Sequence, residues 1–274
     1  MSTLQDRVAI VTGASSGLGL ATARRMVEEG ARVAIADIAH ERASTVASEL
    51  GDAAIAVAVD VSDEQSVRRM VGSVVDRWGR IDIVHNNAAA LGLDVLGRDG
   101  DVVDMEVDVW DRTMAVNLRG AMLVCKHAIP VMLSGGRGAI VNTSSLSGLL
   151  GEENHLAYAC SKAALLAFTR HVANMHGVHG IRCNAVAPGL MLTDVALERL
   201  SERQLKAFRS ERLLDAAARP EDVANLVVFL VSDLAACITG QTYVIDAGTM
   251  AKRPRAAMRM WEDMLRTGEV SFDD

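Results

Sequence analysis

Residues 8–19 read VAIVTGASSGLG, a short apolar run that leads directly into three closely spaced glycines, Gly13, Gly17 and Gly19. The apolar run predicts a buried strand at residues 7–11, and the glycines predict a tight turn that opens a helix. Such a turn lets backbone N–H groups approach a pyrophosphate, and the N-terminus of the helix adds positive potential. The spacing GxxxGxG is not the common GxGxxG, and its position in a βαβ unit is what makes it indicative.

Short aliphatic runs alternate with helix-period segments along most of the chain. The predicted strands are residues 7–11, 32–36, 55–59, 81–84, 139–143, 181–186 and 242–245. The predicted helices are residues 17–29, 41–50, 63–78, 109–133, 157–176 and 220–230. This alternation predicts an α/β fold, a Rossmann-like, doubly wound sheet of seven parallel strands with helices on both faces, in three layers. Because no repeat or linker interrupts it, residues 1–250 are predicted to form a single domain.

The overall composition agrees with this fold and excludes several classes of function. Of the 274 residues, 50% are hydrophobic and only 3% aromatic, which favours aliphatic strands covered by alanine-rich helices. The net charge of −7 argues against a nucleic-acid partner, because phosphate binding requires clustered Lys and Arg. With no apolar run of about 18 residues and no signal-peptide pattern, we expect a cytoplasmic protein without a membrane partner. The four cysteines lack CxxC spacing and are expected to be reduced thiols.

Two segments depart from the alternation. Residues 91–108 are acidic and contain glycines, which predicts an irregular surface loop. In the extension at residues 251–274, apolar residues are spaced for one face of a short amphipathic helix: Ala257, Met258, Met260, Trp261, Met264 and Leu265. We expect this helix to dock on its own subunit or on a neighbour, and a disordered tail is the alternative.

Acidic residues follow the second and third predicted strands. Asp37 ends the second strand, where a carboxylate accepts hydrogen bonds from both ribose hydroxyls of an adenosine and repels a 2′-phosphate. Ile38 follows, and the glycine-rich loop contains no Arg or Lys, which favours NAD over NADP. A solvated or helix-capping acid is the other interpretation of Asp37. Asp60 and Val61 are similarly placed to reach an adenine, with Asp63 as a helix-start alternative.

Tyr158 and Lys162, in the sequence YACSK, are four residues apart and share one face of a predicted helix. Free tyrosine has a pKa near 10, and a lysine ammonium a few Å away lowers that pKa by stabilising the phenolate. Tyr158 is then able to take a proton from an alcohol or donate one to a forming alkoxide. Ser145, at the end of a predicted strand, is able to hydrogen-bond the same substrate oxygen. The spacing alone does not distinguish this role from a packed tyrosine beside a surface lysine.

Together, these motifs resemble those of the short-chain dehydrogenase/reductase family in its compact form. The resemblance covers residues 5–249, and the motifs come in the family's order. The matching residues are the TGxxxGxG loop at Thr12, Gly13, Ala14, Ser15, Ser16, Gly17, Leu18 and Gly19; the adenine-contacting pair Asp60 and Val61; the NNAG element at Asn86, Asn87, Ala88 and Ala89; the helix residue Asn117; the catalytic set Ser145, Tyr158 and Lys162; and the nicotinamide-binding turn with its threonine, Pro188, Gly189 and Thr193. Ala89 stands where the family usually has glycine, which implies a slightly different backbone there.

The resemblance implies an NAD-dependent oxidoreductase that moves a hydride between nicotinamide and a secondary alcohol or ketone, without a metal. In such a site Tyr158 is the general acid/base, Lys162 lowers its pKa and binds the nicotinamide ribose, and Ser145 orients the substrate oxygen. Asn117 holds a water that links Lys162 to solvent. The resemblance also implies a homotetramer, in which the predicted helices at residues 109–133 and 157–176 form one interface.

Other functions stay open as alternatives. A 3-oxoacyl-(acyl-carrier-protein) reductase has the same fold, but such enzymes usually take NADPH and dock an acidic carrier, which Asp37 and the negative net charge argue against. A non-catalytic dinucleotide-binding protein is expected to lose at least one of the three catalytic residues, and all three are present. The segment that starts at Met191 and Leu192 is predicted to be an apolar lid, which favours a partly hydrophobic substrate. His155 is predicted either to line the pocket or to lie exposed in a loop.

Overall fold

A parallel sheet forms the centre of the molecule. The computed structural model describes residues 3–191, 200–215, 218–251, 261 and 264–266. Within these residues the strands are β1 (Val8–Thr12), β2 (Arg32–Asp37), β3 (Ala54–Ala58), β4 (Ile83–Asn86), β5 (Gly138–Thr143), β6 (Ile181–Pro188) and β7 (Thr242–Ile245). They form one seven-stranded sheet in the order β3-β2-β1-β4-β5-β6-β7, and every pair is parallel. The predicted doubly wound sheet is therefore confirmed.

Helices cover both faces of the sheet. In the described residues they are α1 (Gly17–Glu28), α2 (His40–Leu50), α3 (Glu64–Trp78), α4 (Val107–Met114), α5 (Gly120–Ser134), α6 (Leu156–His176), α7 (Glu202–Glu211) and α8 (Pro220–Val231). One hydrophobic core lies between the sheet and α3, α5 and α6, and the other between the sheet and α1, α2 and α8. This is the three-layer arrangement that the alternating pattern predicts. In the portion of the chain that the structure describes, no helix has both the length and the apolar character needed to cross a membrane.

The helix predicted at residues 109–133 is wrong in one respect, because it is interrupted. A π-helical turn at Ala115–Arg119 separates α4 from α5. Asn117 in this turn bonds outside its own helix, accepting from the backbone N–H of Ala90 and donating to Ser161 Oγ. π-Bulges of this kind frequently occur at functional sites.

Strand β4 ends two residues later than the predicted strand at residues 81–84, since polar side chains continue it. His85 Nε2 lies 2.8 Å from Thr143 Oγ1, and Asn86 Nδ2 donates to Asn142 Oδ1 at 2.8 Å. These cross-strand bonds on β5 satisfy polar groups that local hydropathy places in a loop. Helix α7 was not predicted, because seven of its ten residues are polar; a capping box between Ser201 and Gln204 starts it.

The order of the strands creates a crevice at the carboxyl ends of the strands. Strand β1 pairs with β2 on one side and β4 on the other, so the chain reverses its direction of winding between them. Ligands of open α/β sheets bind at this switch point, beyond the carboxyl ends of the strands. The residues after β1, β2, β4, β5 and β6 all reach this edge, and they include the motifs identified in the sequence.

Candidate active site

The glycine-rich loop follows β1 and leads into α1 at the crevice. Gly13 has a φ of +64°, a conformation that favours glycine. A Cβ at Gly19 would lie 2.1 Å from the carbonyl oxygen of Gly13, so only glycine fits there. No side chain caps the N-terminus of α1 at Ser16, and the buried hydroxyl of Ser15 has no partner among the described residues. A helix N-terminus without a side-chain cap, an unpartnered hydroxyl and three glycines that leave room for close approach fit a dinucleotide pyrophosphate.

The NNAG-like element holds this loop against β4. The Asn87 side-chain amide donates to the carbonyl oxygens of Thr12 at 3.1 Å and Gly13 at 3.2 Å. The backbone N–H groups of Asn87 and Ala88 both donate to Thr12 Oγ1, at 3.0 and 3.1 Å. Ala89 follows, partly exposed, on the same side of the crevice. The shape of the loop is therefore set by β4 as well as by its own glycines.

Asp37 lies at the carboxyl end of β2 and faces the loop. Its Oδ2 accepts from the N–H of Ser15 at 3.0 Å, and its Oδ1 accepts from the N–H of Ala39 at 2.9 Å. The residue is 8% exposed, whereas Ile38 beside it is 67% exposed. Each carboxylate oxygen has a second lone pair, so Asp37 is able to hold the loop and still accept hydrogen bonds from a ribose.

Asp60 and Val61 follow β3, next to the same crevice. Asp60 Oδ1 accepts from both the N–H and the hydroxyl of Ser62, at 2.9 and 2.6 Å. Asp63 is the residue that caps α3, accepting from the N–H groups of Gln65 and Ser66. The helix-start role therefore belongs to Asp63, and Asp60 lies outside the helix.

The turn after β6 brings Pro188 and Gly189 to the other side of the crevice. The N–H of Gly189 donates to the carbonyl oxygen of Ile245, and a Cβ at Gly189 would lie 3.0 Å from Asp246 Cβ. Met191 is partly buried against the core. Thr193 and most of the predicted lid, from Leu192 onward, lie outside the described residues.

Ser145, Tyr158 and Lys162 come together beyond the carboxyl end of β5. The hydroxyl of Ser145 lies close enough to the phenol of Tyr158 to lower its pKa. Lys162, one turn further along α6, is 2% exposed, and its Nζ lies 5.5 Å from the centroid of the Tyr158 ring. The same ammonium donates to the carbonyl oxygen of Thr143 at 2.8 Å, which anchors α6 to β5.

Burial sets the pKa values of this cluster in the protein alone. Burial raises the pKa of Tyr158; the hydrogen bond from Ser145 opposes this effect and the charge of Glu152 adds to it. Burial also lowers the pKa of Lys162 to about 8. The sequence predicts instead that Lys162 lowers the pKa of Tyr158. The structure differs because desolvation disfavours both charged forms, and the ammonium is directed to a backbone carbonyl.

Asn117 reaches the cluster through the π-helical turn. It is 2% exposed; its Oδ1 accepts from the N–H of Ala90 at 2.8 Å and its Nδ2 donates to Ser161 Oγ at 3.0 Å. Ser161 in turn donates to the carbonyl oxygen of Tyr158 at 2.7 Å. Asn117 thus contacts α6 at Ser161, about one turn after Tyr158 and immediately before Lys162.

Sequence reasoning missed two polar residues near Tyr158. The Ser147 hydroxyl lies 3.3 Å from Ser145 Oγ and donates to Glu152 at 2.8 Å. His155 is partly exposed, and its Nδ1 lies 4.0 Å from a carboxylate oxygen of Glu152. The second missed residue is Asp99, which is 4% exposed although the segment 91–108 is predicted to be a surface loop. That prediction is wrong at Asp99, and no local pattern marks a single buried acid in an acidic segment.

The fold and the site define a class of protein before any comparison is made. A parallel sheet with a glycine-rich loop at its switch point is a dinucleotide-binding fold, and the Ser–Tyr–Lys cluster beside it is suited to proton transfer. In the described residues no group of three or more His, Cys, Asp or Glu is placed to hold a metal ion. These features describe a nicotinamide-dependent oxidoreductase.

Comparison with known proteins gives the family. A family model described as enoyl-(acyl carrier protein) reductase matches residues 13–250. A probable short-chain type dehydrogenase/reductase of Bradyrhizobium diazoefficiens is 44% identical over 94% of this chain and 92% of its own. A 7alpha-hydroxysteroid dehydrogenase of Bacteroides fragilis is 35% identical over 93% of this chain and 98% of its own. A meso-2,3-butanediol dehydrogenase of Serratia marcescens is 39% identical over 90% of this chain and 95% of its own.

The chain belongs to the short-chain dehydrogenase/reductase family. It is an oxidoreductase that acts on hydroxyl or carbonyl groups with a nicotinamide cofactor. The named substrates of its relatives range from a steroid to a small diol, so they differ widely in size.

Proposed function

We propose that this protein interconverts a secondary alcohol and its ketone with NAD(H), and that Tyr158 is the general acid/base. The observation that carries the proposal is the meeting of Ser145, Tyr158 and Lys162 at one point of the crevice. Ser145 lies close enough to the Tyr158 phenol to affect its pKa, and the Lys162 ammonium lies 5.5 Å from the phenol ring. Together they supply a proton carrier, a polarising hydroxyl and a positive charge.

The proposed reaction needs one proton transfer and one hydride transfer. In oxidation, the phenolate of Tyr158 takes the proton of the alcohol while a hydride leaves the carbinol carbon. In reduction, Tyr158 donates its proton to the forming alkoxide, and Ser145 hydrogen-bonds the same oxygen. When held in the crevice, NAD would supply the hydride acceptor for oxidation and the hydride donor for reduction, and the positive charge of its oxidised ring would favour the phenolate. Asn117 holds a water through which Lys162 exchanges protons with solvent.

The cofactor residues follow the crevice from one side to the other. Asp37 binds the adenosine ribose and selects NAD, since its carboxylate is buried and negative where NADP carries a phosphate. The remaining proposed contacts are Gly13, Ser15, Ser16, Gly17, Leu18 and Gly19 for the pyrophosphate; Ile38, Asp60 and Val61 for the adenosine; and Asn87, Ala88, Ala89, Tyr158, Lys162, Pro188, Gly189 and Thr193 for the nicotinamide half.

The substrate is proposed to be a small to medium-sized, partly hydrophobic secondary alcohol. Leu149 and Leu150 are 37% and 44% exposed in the loop between the residue Ser145 and α6, and Met191 starts the segment opposite. A 3-oxoacyl-(acyl-carrier-protein) reductase is the second candidate, and a relative from Thermotoga maritima has that name. The net charge of −7 favours the first candidate, because it is unfavourable for docking an acidic carrier protein.

We further propose a cytoplasmic homotetramer of chains, each with one domain at residues 1–250 and an extension at 251–274. A groove between α4, α5 and α6 supports subunit contact there, since its lining combines apolar residues, among them Met114, Leu118, Met122 and Phe168, with the charged residues Asp108, Asp111, Arg112 and Arg119. All four cysteines are free thiols, as expected in a reducing compartment. Trp261 and Leu265 in the extension are 58% and 69% exposed, which leaves them available to a neighbour. Sedimentation as a monomer would contradict the assembly.

The first experiment is to measure NADH formation from NAD across a panel of secondary alcohols, beside the same panel with NADP. We expect turnover of one chemical class with NAD, and we expect Asp37→Ala to narrow the preference for NAD. An unchanged cofactor ratio in that variant would place the selectivity elsewhere. If no alcohol of the panel is oxidised although NADH still binds, a non-catalytic dinucleotide-binding protein would be favoured.

Tyr158→Phe tests the acid/base assignment. The variant should bind NADH normally and lose roughly 10²-fold to 10⁴-fold in turnover, because the transferable proton is gone. Tyr243→Phe is the matched control, since Tyr243 on β7 is the chain's other tyrosine, and it should keep the wild-type rate. Near wild-type turnover in Tyr158→Phe would reject the assignment.

A further inference from the structure

The segment 91–108, here called the strap, crosses the beginning of the catalytic helix α6. Its centre is anchored to the start of α4, because Arg98 Nε donates to Glu106 at 3.0 Å and Arg98 Nη2 donates to Asp108 at 3.1 Å. The next residue, Asp99, is 4% exposed. An exposed ion-pair cluster therefore ties the centre of the strap to the start of α4, and the carboxylate next to it in the sequence, that of Asp99, is buried.

Two neighbouring strap residues receive four consecutive backbone N–H groups at the start of α6. Asp99 Oδ1 accepts from the N–H of Ala157 at 2.9 Å, and Oδ2 accepts from the N–H of Tyr158 at 2.8 Å. The carbonyl oxygen of Asp99 accepts from the N–H of His155 at 2.9 Å, and that of Gly100 accepts from Leu156 at 3.4 Å. The first N–H groups of a helix have no partner within the helix, and here the strap provides all four.

The residue before α6 does not provide a cap of its own. His155 stands at the cap position with a φ of +62° and makes no side-chain cap bond. This left-handed conformation is unfavourable for a residue other than glycine and persists only where the surroundings impose it. The hydrogen bond from its N–H to Asp99 is part of that constraint. The start of α6 is thus determined by a residue 56 positions earlier in the chain (99 against 155), not by the local sequence.

We propose that Asp99 is a positioning residue for Tyr158, an inference that rests on the proposed function. Tyr158 lies in the first turn of α6, and its own N–H is one of the two that the Asp99 carboxylate binds. Without these bonds the first turn shifts or frays, and the phenol moves relative to Ser145 and to the substrate oxygen. A misplacement of about 1 Å near reacting groups lowers a rate about 100-fold.

Asp99→Asn tests this role, with Asp82→Asn as the matched control. Asp82 is also buried, at 3% exposed, and its Oδ2 accepts from the N–H of Val8 at 2.9 Å, but it lies at the amino ends of the strands. Both variants should lower Tm, since each puts an amide NH₂ where a carboxylate accepts donors. Only Asp99→Asn should lower kcat, by about 10-fold to 100-fold at 25 °C, and Asp99→Ala should lower it further. NADH affinity should stay within about twofold in all variants.

The result that overturns the proposal is an Asp99→Asn enzyme whose kcat matches that of Asp82→Asn. If Tyr158→Phe is inactive while this match is found, only the positioning role fails. If Tyr158→Phe keeps its turnover, the proposed function fails and the inference fails with it.

Hydrogen exchange on the wild-type protein tests the same contact without any substitution. The amides of Ala157 and Tyr158 should exchange more slowly than the first-turn amides of α1, whose N-terminus has no side-chain cap. Equal exchange at the two helix starts would overturn the proposal.

Discussion

The amino and carboxyl ends of the strands differ in how completely their buried polar groups are hydrogen-bonded. At the amino ends, Asp82 accepts from the N–H of Val8 and from Arg80, and Arg182 donates to the carbonyl oxygens of Leu230 and Ser232. At the carboxyl ends, Ser15 Oγ, His85 Nδ1 and Asn86 Oδ1 have no partner among the described residues. The buried Lys162 at this end has its pKa lowered by desolvation to about 8.

This difference separates stability from function within a single sheet. A buried polar group without a partner costs about 1–3 kcal/mol, so a fold keeps such groups only where something offsets the cost. In parallel strands all carboxyl ends meet at one edge, where the crevice lies. The amino ends stabilise the fold with completed hydrogen bonds, whereas the carboxyl ends retain three buried polar atoms without a partner among the described residues and a buried lysine.

The largest contrast is expected between two glycines at opposite ends of the sheet. At the carboxyl edge, Gly19→Ala places a Cβ 2.1 Å from a backbone oxygen, so the loop must move and NADH affinity should fall about 100-fold. At the amino end of β5, Gly138→Ala meets the flexible side chain of Met132 at 2.6 Å. It should lower the free energy of unfolding by about 1–3 kcal/mol and leave NADH affinity unchanged. Fluorescence titration and urea unfolding measure both; wild-type affinity in Gly19→Ala contradicts the contrast.

A second test measures whether burying the Lys162 ammonium at the carboxyl ends of the strands lowers the free energy of unfolding. The pKa of Lys162 is about 8 in the folded protein against an ordinary value of 10.5. Between these values the unfolded chain holds a proton that the folded chain lacks, so the stability of the wild type rises with pH through this window. The gap corresponds to about 3 kcal/mol. Relative to Lys162→Met, the wild type should therefore gain about this amount of unfolding free energy from pH 7.5 to pH 10.5.

The matched control for this test is Lys126→Met on α5, where the lysine side chain is 54% exposed and paired with Glu64. The difference in unfolding free energy between Lys126→Met and the wild type should show no comparable pH dependence over the same range. Urea unfolding of all three proteins at several pH values gives the curves. Parallel curves for the wild type and Lys162→Met would show that the buried ammonium carries no such penalty.

The smallest expected effect is a shift of a pH profile. After burial, the negative charge of Glu152 contributes to the raised pKa of Tyr158. Glu152→Gln removes that charge, so the pKa of Tyr158 falls and alcohol oxidation, which needs the phenolate, should begin at lower pH. Glu153→Gln, the exposed neighbour, is the control and should leave the profile in place. An unmoved profile in Glu152→Gln would show that its charge does not reach Tyr158.

Local pattern predicted the elements well where hydropathy and structure agree. The seven strands lie close to their predicted positions, because each contains a short apolar run, and the strands at the centre of the sheet are buried on both faces. The prediction failed where polar residues are buried by distant partners. His85 and Asn86 continue β4 only because Thr143 and Asn142 on β5 bond to them, and Asn117 interrupts a helix through contacts with Ala90 and Ser161.

The sequence by itself determined the order of strands and helices, and it showed which chemical groups follow each strand. These properties depend on side-chain periodicity and glycine spacing over a few residues, and both are visible along the chain. Only the tertiary structure decided which of those groups are desolvated and which are paired. The lowered pKa of Lys162, the raised pKa of Tyr158 and the cap that Asp99 places on α6 all arise from contacts between distant segments. Burial is a property of packed elements, and packing joins residues that local pattern cannot relate.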